Sequence, residues 1–270
     1  MSSNQYFSGK VVWITGASSG IGEALAYAFS EQNASLVISS NEENELDRVK
    51  RNCGGNPEDV MILPLDLTEF ETFKDKSREV TDRFGHVDVL INNGGISHRS
   101  QVRDTDPKVL RKVMDVDFMG HAMLTQAVLP SMIERKSGRI VVTSSLAGFL
   151  SFPNRAAYCA AKHALQGFFN SLRAEVWRDG IGVTLICPAG VRTRIGYTSL
   201  LGDGGEYGRS DPHIESGMSP EHCARQIMKA IIKGKEEARL GGFFQKTPVY
   251  IAQLFPSVYS WLIRNFKSLG

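Results

Sequence analysis

Apolar positions along this chain alternate between two spacings. Short runs rich in β-branched residues, Val11-Val12-Trp13-Ile14, Leu36-Val37-Ile38 and Met61-Ile62-Leu63, are each followed by a stretch with helical periodicity: Glu23 to Gln32, Glu42 to Arg51 and Phe70 to Phe84. The rhythm continues through Val87 to Ile91, Ile140 to Val142 and Val183 to Ile186, each next to an amphipathic helical pattern. Runs that are apolar at consecutive positions predict strands covered on both faces. The chain therefore reads as α/β, with a doubly wound parallel sheet of roughly six strands and helices on both sides.

Two segments depart from this pattern. Between about 195 and 219 periodicity fails and glycine, serine and aspartate dominate, which predicts a mobile loop in a position where it could cover a substrate. From about 243 to 266 apolar and aromatic residues crowd together, from Phe243 and Phe244 to Trp261 and Phe266, with Pro248 and Pro256 interrupting them. The prolines argue against a single membrane-crossing helix. Packing on the substrate cleft or against another subunit is the favoured expectation. The alternative is peripheral membrane contact, with Arg264 and Lys267 near lipid headgroups.

Length and composition narrow the function classes. A chain of 270 residues with 42% hydrophobic content suits one domain over 1–270, and no composition break marks a second. Lysine plus arginine, 31, nearly balance aspartate plus glutamate, 29, so charge gives no support to nucleic-acid binding. Cys53, Cys159, Cys187 and Cys223 are widely spaced, which suggests neither a zinc cage nor a disulfide framework. With no signal-peptide core in view, the expected setting is intracellular, cytoplasmic or peripherally membrane-associated.

The first strand runs into Thr15-Gly16-Ala17-Ser18-Ser19-Gly20-Ile21-Gly22, which opens the first helix. Glycines there let the backbone approach a dinucleotide pyrophosphate, and the helix N-terminus offers free N–H groups. The fold expected is thus of the Rossmann type. At the end of the second strand, Ser40 and Asn41 stand where such folds meet the adenosine ribose. A carboxylate there would favour NAD, and its absence tilts the expectation to NADP(H), although no arginine is present to fix it.

Tyr158 and Lys162 are four residues apart, so on a helix they share a face. A phenol with a pKa of about 10 is a poor base near neutrality, but an adjacent ammonium stabilises the phenolate. Ser145, at the end of the fifth strand, could polarise a substrate oxygen. Taken alone, such a tyrosine–lysine pair is an ordinary feature of amphipathic helices; its meaning comes from arriving with the glycine turn and the serine.

Taken together these residues resemble the short-chain dehydrogenase/reductase family over nearly the whole chain. Gly16, Ser18, Ser19, Gly20, Ile21 and Gly22 are similar to its cofactor turn, Asp66-Leu67 to its adenine contact, and Asn92-Asn93-Gly94-Gly95 to its Asn-Asn-Ala-Gly signature. Ser145, Tyr158 and Lys162 match its catalytic serine, tyrosine and lysine, and Pro188 to Thr193, including Val191, resembles its nicotinamide-contacting stretch. The resemblance implies hydride transfer between NADP(H) and a carbonyl or alcohol, with Tyr158 as proton-transfer residue, Ser145 holding the oxygen and Lys162 binding the ribose. It further implies a homodimer or homotetramer built on the helices before and after Tyr158. Within the family the chain looks most like the dehydrogenase/reductase member seven branch, which implies a hydrophobic, lipid- or steroid-like substrate. That branch's membrane anchor precedes the catalytic domain and is not read here, so membrane location is not carried over.

Three positions depart from the family pattern. Asp117 stands where an asparagine helps hold a water beside the catalytic lysine, and an anion there would oppose the phenolate. Ala189 replaces a glycine and adds a Cβ close to the nicotinamide side, and Gly94 replaces an alanine and loosens a turn; neutral drift is the favoured reading of both. Arg192 and Arg194 flank Thr193 and could attract a phosphate, although solvated surface residues are the simpler expectation. These departures leave two alternatives: a dinucleotide-binding scaffold or sensor with impaired turnover, and an NAD-using dehydrogenase.

Overall fold

A computed structural model describes residues 6–209 and 211–265. Among the described residues seven parallel strands form one sheet in the order β3-β2-β1-β4-β5-β6-β7. They are β1 Val11–Thr15, β2 Ser35–Ser39, β3 Val60–Ile62, β4 Val89–Asn92, β5 Gly138–Thr143, β6 Ile181–Pro188 and β7 Glu237–Leu240. The first six follow the apolar runs of the sequence.

Alternation along the strands sends side chains to two cores. Val12 and Ile14 of β1 pack with α1 (Gly20–Ser30), α2 (Glu43–Asn52) and α8 (Pro220–Ile232) on one face. Trp13 points to the other face, under α3 (Phe73–Phe84), α5 (Gly120–Arg135) and α6 (Ala156–Val176), where Leu124, Leu165 and Phe169 are fully buried. The indole Nε1 of Trp13 donates to Ser39 Oγ at 2.9 Å, so its one polar atom is satisfied.

The strand order reverses between β1 and β4, which opens a crevice at the carboxyl ends of those strands. Helix α4 (Pro107–Met114) starts on an Asp106 cap and continues into α5 through a π-helical turn, Asp115–Met119. Such turns widen a helix and re-aim side chains, and this one directs Asp117 inward.

The 195–219 segment is less irregular than its composition predicts. A short 3-10 turn at Arg194–Gly196 and α7 (Pro212–Glu215) lie within or next to it, and bridges join His98 to Leu200 and Val191 to Met218. The C-terminal stretch forms α9 (Phe243–Leu254) and α10 (Pro256–Asn265). Pro256 marks the break between them, whereas Pro248 is accommodated inside α9. Phe266 and Lys267 lie outside the described residues.

Candidate active site

The glycine turn is shaped by contacts that leave no room for side chains. Gly16 and Gly20 take φ of +63° and +59°, a left-handed region costly for other residues. A Cβ on Gly22 would lie 2.1 Å from Gly16 O, so α1 approaches the turn as closely as backbone allows. Ser19 is the N-cap of α1 but makes no side-chain cap hydrogen bond, which leaves the first N–H groups of the helix facing the crevice. This cradle fits the pyrophosphate of a dinucleotide.

Asn93 ties the turn to β4. Its Nδ2 donates to Thr15 O at 3.2 Å, its backbone N–H donates to Thr15 Oγ1 at 2.9 Å, and Thr143 Oγ1 donates to its Oδ1 at 3.2 Å. Gly94 is closely packed. A Cβ there would sit 2.7 Å from Leu67 Cδ1, so the leucine fills the space that an alanine methyl would need.

Beyond β2, Ser40 is buried and its Oγ donates to Ser18 Oγ at 3.1 Å, while Asn41 is exposed. Asp66 is partly buried, with Oδ1 accepting from Thr68 N at 2.8 Å. Pro188 closes β6, Val191 is buried, and Thr193 Cγ2 lies 2.9 Å from the Cβ position of Gly20, placing the 188–193 stretch against the glycine turn.

Arg48 was not legible as a site residue. From α2 its guanidinium donates to Ser18 O at 3.1 Å and pairs with Glu23 at 2.6 Å and Glu45 at 2.8 Å. Arg48, Arg192 and Arg194 line one cleft of about 520 Å³ with Ser19, Gly20 and Thr193. Arg194 also pairs with Glu42 at 3.7 Å. The two arginines flanking Thr193 thus border the cleft of the glycine turn.

At the inner end of the crevice, Lys162 Nζ lies 5.4 Å from the Tyr158 ring centroid, as their spacing on α6 predicts. The lysine is buried, donates to Thr143 O at 3.4 Å and lies 3.3 Å from Asp117 Oδ2. Burial works against its ammonium, but Asp117 and Tyr158 together outweigh this and the Lys162 pKa is raised. Burial pushes the Asp117 carboxyl up, against the opposing pull of Lys162 and of the Ile96 N–H. Ser145 follows β5 and caps a short 3-10 turn, its Oγ accepting from Ala147 N at 3.1 Å. Its neighbour Ser144 donates to Lys162 O at 3.3 Å, which docks the end of β5 on α6.

A family model for short chain dehydrogenases matches residues 10–200, most of the chain and every motif up to Thr193. The chain belongs to the short-chain dehydrogenase/reductase family. It is 40% identical over 266 residues to a dehydrogenase/reductase SDR family protein 7-like of Anopheles gambiae, covering 97% of this chain and 84% of that protein. Among solved structures, a short-chain dehydrogenase/reductase from Burkholderia phymatum in complex with NAD is similar with a TM-score of 0.82 and 25% identity, over 93% of this chain and 95% of that one. A metagenomic short-chain oxidoreductase in complex with NADP gives a TM-score of 0.71 and 25% identity, over 87% and 97%. Membership of this oxidoreductase family accounts for the crevice as a nicotinamide dinucleotide site.

Around the crevice mouth, Arg155 Nη2 pairs with Asp211 at 2.5 Å, Arg99 pairs with the same carboxylate, and Arg155 Nη1 donates to Ser97 Oγ at 2.9 Å. The loop is thereby fastened to the start of α6, three residues before Tyr158. Tyr259 of α10 donates to Ser151 O at 2.8 Å, fastening the C-terminal helices to the loop that follows Ser145.

Proposed function

We propose that the protein transfers a hydride between NADP(H) and the carbonyl or alcohol carbon of a hydrophobic, lipid- or steroid-like substrate. The observation that carries this reading is the buried Lys162 ammonium against the Tyr158 ring at the inner end of a dinucleotide crevice. The bound dinucleotide supplies or accepts the hydride. Tyr158 gives its phenolic proton to the developing alkoxide in reduction and takes it back in oxidation. Ser145 holds that oxygen, and Lys162 binds the ribose and favours the phenolate. Gly16, Ser18 to Gly22, Asn93, Gly94 and Gly95 carry the pyrophosphate and nicotinamide sides, with Pro188, Val191 and Thr193 opposite them. Asp66 and Leu67 meet the adenine.

The preference for NADP(H) is supported by the lack of a carboxylate at Ser40 and Asn41 and by the Arg48 guanidinium on Ser18, the residue to which Ser40 also donates. Glu23 and Glu45 already occupy Arg48, which supports NAD(H) as the second reading. Residues 195–219 serve as the substrate loop. Assembly runs through the helices before and after Tyr158 as a homodimer or homotetramer, a reading supported by the family resemblance. Outward-facing Phe243, Phe244 and Trp261, exposed at 75%, 88% and 59%, support peripheral contact with membrane. Among the described residues no helix is long and apolar enough to cross one.

Titration with NADPH and NADH, followed by turnover on hydrophobic ketones, tests the reading. Tyr158→Phe should abolish turnover while dinucleotide binding persists, and Arg48→Gln should weaken NADPH about tenfold, the value of one charge-assisted hydrogen bond, with NADH unchanged. Turnover that survives in Tyr158→Phe would overturn the assignment. Equal effects of Arg48→Gln on both dinucleotides would move the preference to NAD(H).

A further inference from the structure

His121 is a fully buried titratable group that the reaction as proposed does not use. It sits one helical turn beyond Asp117, and the two side chains grip the same strip of backbone. Asp117 Oδ1 accepts from Ile96 N at 2.7 Å, and His121 Nε2 meets Gly94 O at 2.7 Å. A carbonyl only accepts, so Nε2 carries the imidazole proton and Nδ1 is left as an acceptor. Burial, aided by the Lys162 charge, pushes His121 down to about 3, so the ring is neutral.

Among the described residues neither His121 Nδ1 nor Asp117 Oδ2 has a hydrogen-bond partner, although Oδ2 faces Lys162 Nζ at 3.3 Å. Residues four apart on a helix share a face. Two desolvated acceptors there are costly if no donor reaches them. One proton between them satisfies both.

We propose that Asp117 holds this proton in the resting protein, donating from Oδ2 to His121 Nδ1 directly or through one water. Protonated Asp117 then combines an acceptor oxygen with one O–H donor, as the side-chain amide that the family carries at this position combines an acceptor oxygen with two N–H donors. The ammonium of Lys162 remains available to Tyr158, which a carboxylate at Asp117 would counter. His121 is thus a positioning residue that acts through Asp117. Burial drives the Asp117 carboxyl in the same direction. Lys162, from α6, is the charged group acting on both side chains; Arg111 and Asp115 pair with each other at 2.8 Å, with the Arg111 side chain 76% exposed. The catalytic consequence rests on the reading of Tyr158 and Lys162 given above. The protonation state does not.

Infrared spectra of the full chain, taken without substrate against pH, test the proposal independently of turnover. The stretching band of a protonated carboxyl should be present at neutral pH and absent from Asp117→Asn. His121→Gln keeps an N–H donor for Gly94 O and has no ring nitrogen at the position of Nδ1; its one acceptor, the amide oxygen, sits on the same carbon as the N–H held by Gly94. In that variant the band should disappear at least about one pH unit lower, a tenfold change in proton affinity. A neutral-pH spectrum identical to that of Asp117→Asn, or a midpoint unmoved by His121→Gln, overturns the proposal. If His121→Gln does not fold, the 15N shift of His121 Nδ1 in the unaltered protein decides. A value typical of a free imine nitrogen overturns the proposal, and one displaced as in a hydrogen-bonded acceptor supports it.

Discussion

Gly22 is the residue on which closure of the cofactor turn depends. An added methyl would meet Gly16 O at 2.1 Å and Asn93 Nδ2 at 2.8 Å, and the first of these is backbone that cannot swing aside. Gly22→Ala is expected to lose about 2–3 kcal/mol, the upper range of overpacking costs, read as a lower urea midpoint with dinucleotide affinity falling alongside. Gly54→Ala, where nothing lies within 4 Å of the new Cβ, should stay near the unaltered midpoint and serves as control. At this scale legibility followed sequence distance. The Tyr158–Lys162 pair could be read because both lie on one helix. Arg48 could not, since its partner Ser18 is thirty positions away and belongs to another element. The packing at Gly94 also depends on a distant residue: Leu67, which the local sequence does not contain, lies 2.7 Å from where a methyl would be.

Elements were legible where burial imposes a pattern. The first six strands are apolar runs because helices cover both faces, and each was found. β7 was missed because Glu237-Ala238-Arg239-Leu240 lacks β-branched residues; it is a strand through its parallel pairing with β6 at the sheet edge. The C-terminal helices show how an apolar segment divides its surface. Val249 is fully buried and Tyr259 anchors the inner side, whereas Leu254, Phe255 and Trp261 remain exposed. The expectation of packing on the body of the protein therefore accounts for the inner face only. Replacing Phe243 and Phe244 together by serine should leave the unfolding midpoint almost unchanged, because these side chains are already largely in water. Flotation with vesicles containing anionic lipid should decline sharply in the same variant. Equal flotation of both proteins would refute membrane contact, and a concentration-dependent mass lost in the variant would assign the face to self-association.

For the molecule as a whole, the Asp117–His121 pair makes stability depend on pH in two opposing ways. His121 has its folded pKa depressed from 6.5 to about 3, so between those values the unfolded chain binds a proton that the folded protein refuses. Stability from this group is complete above the unfolded value and declines as pH falls through the window, with a limiting slope of about 1.4 kcal/mol per pH unit. Asp117, raised from 3.8 by burial, works in reverse: the folded protein keeps a proton that the unfolded chain has released, so its contribution weakens as pH rises. Where the windows overlap, the two slopes offset each other in the unaltered protein. An Asp117→Asn background removes one of them. Urea unfolding in that background should show stability falling from about pH 6 to pH 4 at close to the one-proton slope, less whatever the remaining groups contribute. Adding His121→Gln should flatten the curve by that slope, because glutamine does not titrate. Parallel curves for Asp117→Asn and the double variant would mean that His121 takes up its proton in the folded protein as readily as in the unfolded chain, contrary to its burial and to its Nε2–H···O=C bond with Gly94.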